Sequence, residues 1–142
     1  YGEAGDDTIY GEGGDDILYG EGGDDILYGG PGKEIIYGGP GDDLLDGNQH
    51  SAIHPSMGLD TLYGNEGADT FMVRSDGSHI IISDFEPGKD MMWLAGRSAP
   101  ADFDDLEITL MGNSTHIATM RGDLLAILPG IEPGQLAAGD FV

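Results

Sequence analysis

Large apolar side chains between Gly2 and Met72 recur at a spacing that neither an α-helix nor a long strand explains. Ile9, Leu18, Leu27, Ile36, Leu45, Leu62 and Phe71 each stand eighth in a nine-residue unit. The units read GEAGDDTIY, GEGGDDILY twice, GGPGKEIIY, GGPGDDLLD, a split copy, and GNEGADTFM. The split copy opens with Gly47-Asn48, closes with Gly58–Tyr63, and carries an insertion over about residues 49–57. Glycine holds the first and fourth places, where a tight turn can demand a positive φ. Each unit therefore predicts a six-residue turn followed by a three-residue strand whose middle side chain points inward. One such unit buries too little to fold, so neighbouring copies must stack into a continuous thin core. The insertion is expected to leave the stack as a loop.

Stacking the strands also stacks the turns, and this brings acids together. The sixth place is Asp7, Asp16, Asp25, Glu34, Asp43, Asp60 and Asp69. Columns of unpaired carboxylates repel strongly. A hard cation that takes six or more oxygens resolves the repulsion, and calcium suits such a site better than the strictly octahedral, water-retaining magnesium. The fifth-place acids Asp6, Asp15, Asp24 and Asp42 read as outward turn residues rather than direct ligands. Overall charge supports a need for cations: 27 acids face five bases, for a formal net charge of −22. Nucleic acid and anionic membrane surfaces are poor partners for such a chain. There is no cysteine, hence no disulfide framework or thiolate metal site. No apolar run approaches the roughly 20 residues of a membrane span.

After Met72 the period stops. Residues 78–94 and 106–131 read as short strands with turns at Gly112-Asn113, Arg121-Gly122-Asp123 and Pro129-Gly130. Residues 101–106 read as a helical turn. Two regions follow: a repeat region over 1–72, and an antiparallel β cap over 73–142 that closes the open end of the stack.

These nines resemble the RTX, or haemolysin-type, calcium-binding nonapeptide G-G-x-G-x-D-x-U-x over residues 2–46 and 58–72. The resemblance implies an all-β fold: a right-handed parallel β-roll, two repeats per coil, with the antiparallel β cap at its C-terminal end. It implies calcium shared between turns two repeats apart. Asp7/Asp25, Asp25/Asp43 and Asp43/Asp69 would share ions on one edge, Asp16/Glu34 and Glu34/Asp60 on the other, giving about three to five ions. Lys33-Glu34 in place of Asp-Asp weakens the second edge. Second-place Glu3, Glu12, Glu21, Asn48 and Asn65 depart from glycine, and tolerance is expected because only the backbone carbonyl is needed there. The flank also resembles the family's, in Gly67–Phe71, Ile82–Asp90 and Asp140-Phe141-Val142. By that likeness Asp84 and Asp90 would hold one further calcium in the cap, and the C-terminal region would carry a type I secretion signal read by the secretion machinery. The implied function is a secreted, bacterial-type, calcium-dependent module of a larger protein. Tyr1 reads as the last letter of an earlier repeat, so the chain is expected to be cut from a longer array.

All six tyrosines fall in the ninth place. Tyr10, Tyr19, Tyr28 and Tyr37, beside Ile17, Ile26 and Ile35, form either cross-strand ladders or aromatic stripes for sugar or partner contact; the ladder is favoured. Met91-Met92-Trp93-Leu94 reads as core. His50 and His54 read as loop residues rather than a zinc pair. No H-E-x-x-H, G-x-S-x-G or P-loop occurs, so no catalytic site is expected on this chain, and a catalytic domain of the parent protein is expected to lie upstream. The alternative functions are a polysaccharide-binding auxiliary module, like those of alginate epimerases, with Lys89, Arg97 or Arg121 as contacts, and an end domain of an adhesin or surface-layer protein.

Overall fold

The computed structural model describes residues 1–47, 58–75, 79–95 and 103–142. The insertion with His50 and His54, and also Asn48 and Arg97, lie outside the described residues. Each nonapeptide closes with a strand: β1 (Thr8–Tyr10), β2 (Ile17–Tyr19), β3 (Ile26–Tyr28), β4 (Ile35–Pro40), β5 (Leu44–Asp46), β6 (Asp60–Glu66) and β7 (Thr70–Arg74). Then follow β8 (Ile80–Ile82), β9 (Met91–Ala95), β10 (Leu106–Met111), β11 (Ser114–Thr119) and β12 (Leu124–Pro129). Odd-numbered strands β1-β3-β5-β7-β9 form one sheet, and the other runs β10-β11-β12-β8-β6-β4-β2. Successive strands thus alternate between two parallel sheets, two nonapeptides per coil. This is the parallel β-roll, two repeats per coil, that the resemblance implies.

Register explains the period. In one sheet Leu27, Leu45, Phe71 and Met92 lie in line; in the other Leu18, Ile36, Leu62 and Ile82 do. From Leu27 to Phe71 these side chains are fully buried, and the two rows face each other as one aliphatic core. Their flanking residues point outward, as a pleat of period two requires. Met92 and Ile82 occupy the eighth-place role although no nonapeptide surrounds them. The roll therefore runs one coil beyond the end of the period.

The cap closes both sheets. β10, β11 and β12 form the expected antiparallel meander, and β12 pairs in parallel with β8. The free edge of β9 is covered by the chain end: Val142 N–H donates to the Met92 carbonyl at 3.0 Å, and Leu94 N–H donates to the Val142 carbonyl at 2.8 Å. A 3₁₀ turn at Phe103–Asp105 stands where a helical turn was expected. One expectation is corrected: of Met91–Leu94 only Met92 is buried in the core and Leu94 packs partly buried against it. Trp93 is 48% exposed and Met91 38%, because strand alternation turns both outward.

Turns pack against turns through bare backbone. A Cβ on Gly41 would lie 2.1 Å from the Gly23 carbonyl oxygen, and its φ is +146°; Gly67 repeats this against Gly41 at 1.7 Å. Third-place Gly22, by contrast, has open space around it. Gly41→Ala is expected to cost more than about 2 kcal/mol from clash and strain together. Gly22→Ala should stay within about 0.5 kcal/mol. Denaturant melts in calcium-containing buffer compare the two.

Candidate metal centre

The sixth residue of each turn immediately precedes the strand, so the ladder holds its backbone and its side chain folds back over the turn. The first-place glycine makes room for it. A Cβ at Gly20, Gly38 or Gly64 would stand 2.3, 2.2 or 2.1 Å from Oδ2 of Asp25, Asp43 or Asp69 in the same repeat. The backbone carbonyl of the next coil closes the same space, 2.6 Å from such a Cβ at Gly2, Gly11 and Gly20, so the first column is glycine.

The stacked acids form a directional ladder. On the odd edge Asp7 N–H donates to Asp25 Oδ1 and Asp25 N–H to Asp43 Oδ1, both at 2.8 Å. The ladder continues from Asp43 N–H to Asp69 Oδ1 at 2.9 Å and from Asp69 N–H to Asp90 Oδ1 at 3.1 Å. On the even edge Glu34 N–H donates to Asp60 Oδ1 at 3.0 Å. No corresponding bond among the described residues joins Asp16 to Glu34. Glu34 is one methylene longer than aspartate, and its Cγ occupies the space above Gly29. The even ladder therefore breaks at the one residue that is not aspartate.

Each ladder bond uses one carboxylate oxygen and leaves the other. Among the described residues, the buried side-chain polar atoms without a hydrogen-bond partner are Oδ2 of Asp7, Asp16, Asp25, Asp43, Asp60 and Asp69, and both oxygens of Glu34. They are the sixth column and nothing else. A buried carboxylate oxygen without a donor is costly. No three acid or histidine side chains converge among the described residues. The donors are thus carboxylate pairs flanked by turn backbone, with no sulfur or nitrogen. Such an oxygen-only set fits calcium, which completes its shell with carbonyls and water.

Burial raises the proton affinity of these acids. It pushes Asp69 to about 7, with the charges of Asp90 and Asp43 adding, and Asp43 to about 6, with Asp25 adding. Glu34 rises to about 9 through burial, then through Asp60 and Asp16. Asp60 and Asp90 are raised chiefly by burial as well.

Asp84 and Asp90 sit differently from the column they follow. Asp84 accepts from Gly64 N–H and Asn65 N–H, both at 3.0 Å, one on each oxygen. Asp90 accepts from Asp69 N–H and, at 2.8 Å, from Glu86 N–H. Neither has a bare oxygen; both finish the odd edge by satisfying the N–H groups of the last nonapeptide turn.

Three arrangements were not anticipated from sequence. The fifth-place acids, though exposed, form a second ladder running the other way: Asp24 N–H to Asp6 Oδ1 at 3.0 Å, Asp42 N–H to Asp24 at 2.9 Å, Ala68 N–H to Asp42 at 2.8 Å, and Lys33 N–H to Asp15 at 3.0 Å. Asp46 occupies a ninth place, fully buried, and accepts from both Nε and Nη2 of Arg74. Buried Asp140 accepts from Gly88 N–H at 2.7 Å and from Ala137 N–H at 2.8 Å, which pins the chain end to the last turn. An Asp-Asp doublet repeated at period nine was the available signal for the first; the others depend on long-range packing.

The second column corrects an expectation. Glu3, Glu12, Glu21 and Asn65 have φ of +77°, +70°, +77° and +71°. Glycine is favoured there by the left-handed backbone itself, so each glutamate carries roughly 1–2 kcal/mol of strain.

Comparison with known proteins agrees with the repeat geometry. The family profile described as RTX calcium-binding nonapeptide repeat (4 copies) matches residues 1–33, 28–50 and 58–76. No curated protein sequence matches the chain. Among solved structures, the AlgE6R3 subunit of the Azotobacter vinelandii mannuronan C5-epimerase is 25% identical at TM-score 0.49, covering 100% of this chain and 80% of that one. The AlgE6R2 subunit of the same enzyme is 22% identical at TM-score 0.41, covering 95% and 90%. The extracellular lipase LipA from Serratia marcescens is 16% identical at TM-score 0.47, covering 97% of this chain and 38% of that one.

The raised acids set a pH dependence for the ion-free fold. In the unfolded chain these carboxylates titrate near pH 4. The folded state holds their protons to higher pH, so the contribution is full below about pH 4 and is lost as pH rises through about 6 to 9. In EDTA the chain should therefore hold more β structure, read by far-UV circular dichroism, at about pH 4.5 than at pH 8. Glu34→Gln should flatten the uppermost part of that decline. A β signal rising with pH in EDTA would contradict the assignment.

Proposed function

We propose that this chain, which over residues 1–50 and 58–76 belongs to the RTX calcium-binding nonapeptide repeat family, is a calcium-triggered folding module of a larger secreted protein. Its work is to stay loose before export, to fold on meeting extracellular calcium, and so to support type I secretion and the stability of its parent. The observation that carries this is the column of bare, buried carboxylate oxygens, one or more in every nonapeptide and none elsewhere among the described residues.

The energetics agree. Sites of the extracellular class bind calcium with Kd of about 10⁻⁴–10⁻³ M, far above cytosolic calcium. Calcium at ten times Kd contributes about 1.4 kcal/mol per site by linkage. Three to five sites would supply about 4–7 kcal/mol, comparable with the whole stability of a small domain. The odd-edge pairs Asp7/Asp25, Asp25/Asp43 and Asp43/Asp69 are the strongest candidates, since all are aspartate and their ladder is unbroken. The even-edge pairs Asp16/Glu34 and Glu34/Asp60 are weaker, for the reason Glu34 gives. Asp84 and Asp90, proposed for one further ion in the cap, are the weakest candidates, since each of their oxygens already accepts a backbone N–H. The repeats are of a non-catalytic type, and the parent's activity would lie in another part of it. No described helix is long and apolar enough to cross a membrane.

The polysaccharide reading meets an obstacle in the tyrosines. Tyr1, Tyr19, Tyr37 and Tyr63 stack face to face at 4.8, 4.9 and 4.7 Å, and Tyr10 and Tyr28 do so at 5.0 Å. These are the cross-strand ladders, and the faces between neighbouring rings are occupied. A sugar needs a free face to stack on.

Calcium added to EDTA-stripped protein should produce a cooperative gain of β signal in far-UV circular dichroism at about 0.1–1 mM, absent with magnesium. Calorimetry should count three or more ions. Full β signal in EDTA at neutral pH would defeat the proposal. Asp43 is shared by two pairs, so Asp43→Asn should cost about two ions, against one for Asp7→Asn. Glu34→Asp should mend the even ladder and lower the calcium midpoint by a few-fold, read from the same titration.

A further inference from the structure

Beside each tyrosine ladder runs a groove that the ion sites do not use. The larger, about 1050 Å³, lies along the odd-edge turns, floored by Tyr19, Tyr37 and Pro40 and rimmed by Glu3, Glu21 and Glu66. The smaller, about 250 Å³, repeats the plan on the other edge with Tyr10, Tyr28, Pro31 and Glu12. Both arise from the same columns, the ninth-place tyrosine and the second-place residue, so the period that builds the roll also builds the grooves.

Three features define what such a groove can hold. Its floor is apolar but offers ring edges and hydroxyls, because the ring faces are stacked on one another at 4.7–5.0 Å. Every charged residue lining either groove is acidic. The acids recur along the roll axis at a place where the backbone, at φ of +70° to +77°, favours glycine, and where Gly30 and Gly39 show that glycine is accommodated. An apolar trough with a negative rim is complementary to a cation on a long methylene stem. Lysine lays its stem on apolar surface and keeps its ammonium at a carboxylate. Guanidinium stacking and sugar stacking both need a ring face, and the faces between neighbouring rings of each ladder are taken.

We infer that the tyrosine-floored, glutamate-rimmed grooves are docking surfaces for an extended, lysine-rich polypeptide segment. Glu3, Glu12 and Glu21 take the ammonium groups, and the tyrosine edges and prolines take the stems. Docking needs the folded roll and so depends on calcium. It needs nothing of the carboxylates that hold calcium, because the second-place side chains point away from the sixth column into the grooves.

The test is fluorescence anisotropy of dye-labelled decalysine with the calcium-loaded full chain, at about 0.15 M salt, where long-range attraction between exposed charges is largely screened. One variant carries Glu3→Gly, Glu12→Gly and Glu21→Gly, which keeps each turn carbonyl and relieves the left-handed strain. Its thermal midpoint in calcium should equal or exceed that of the parent. A control with the same charge change carries Glu86→Gln, Glu107→Gln and Glu132→Gln, all exposed and outside both grooves. The groove variant is expected to bind decalysine roughly tenfold more weakly, the combined effect of three exposed ion pairs, and the control within about twofold of the parent. Equal weakening in both variants would mean attraction by net charge alone and would overturn the proposal. So would no binding to the parent, or tighter binding of a neutral oligosaccharide. Loss of docking with the calcium midpoint unchanged or lowered separates this inference from the folding proposal.

Discussion

Everything in this molecule depends on holding like charges together in a place shielded from water. The nonapeptide can stack only if its sixth-place carboxylates stack too, at strand spacing and beneath the surface. The fold supplies part of what these carboxylates need: Asp25, Asp43, Asp60 and Asp69 each accept one N–H from the neighbouring coil on one oxygen. The other oxygen is left bare in all seven repeats. A proton or a cation there relieves the repulsion between stacked carboxylates. The proposed function rests on that relief: without it, the same backbone bonds would have to hold a column of like charges.

That constraint accounts for the thinness of the design. The core is one buried side chain per nonapeptide, aligned coil to coil, too little to sustain a chain carrying a formal net charge of −22 without help. The turns contribute more than connection. Sixth-place and fifth-place acids run hydrogen-bond ladders in opposite directions along the axis, so each coil both gives to and takes from its neighbour. A local change then has a local and readable effect. Glu34 adds one methylene, and one ladder bond is missing.

A solenoid must also end. Here the C-terminal end closes without a new principle: Asp84 and Asp90 present carboxylates to the last N–H groups of the odd edge, Met92 and Ile82 extend the core rows, and Phe141-Val142 covers the edge of β9. Asp140 ties that covering strand to the turn that carries Asp90. The terminal turn thus looks like a calcium turn in outline, yet its acids are fully engaged by backbone. The tyrosine ladders follow the same logic of stacking, and Asp46 with Arg74 replaces a ring where the odd ladder stops.

Sequence by itself determined the roll. A period of nine with one buried position leaves a single economical way to hide that side chain, and the alternation of strands between two sheets follows from it. The columns of acid and glycine were legible for the same reason, since each repeats a local geometry. What only the tertiary structure decided lies where neighbours in space are distant in sequence. The fifth-place ladder, the Asp46–Arg74 pair, the outward turn of Trp93 and the engagement of both oxygens of Asp84 and Asp90 each depend on which coil lies alongside. The strain at Glu3, Glu12 and Glu21 was hidden for a related reason: a glutamate in a glycine column looks like tolerance until φ is known. Periodicity carries local conformation; it cannot tell a carboxylate which oxygen will be left without a partner.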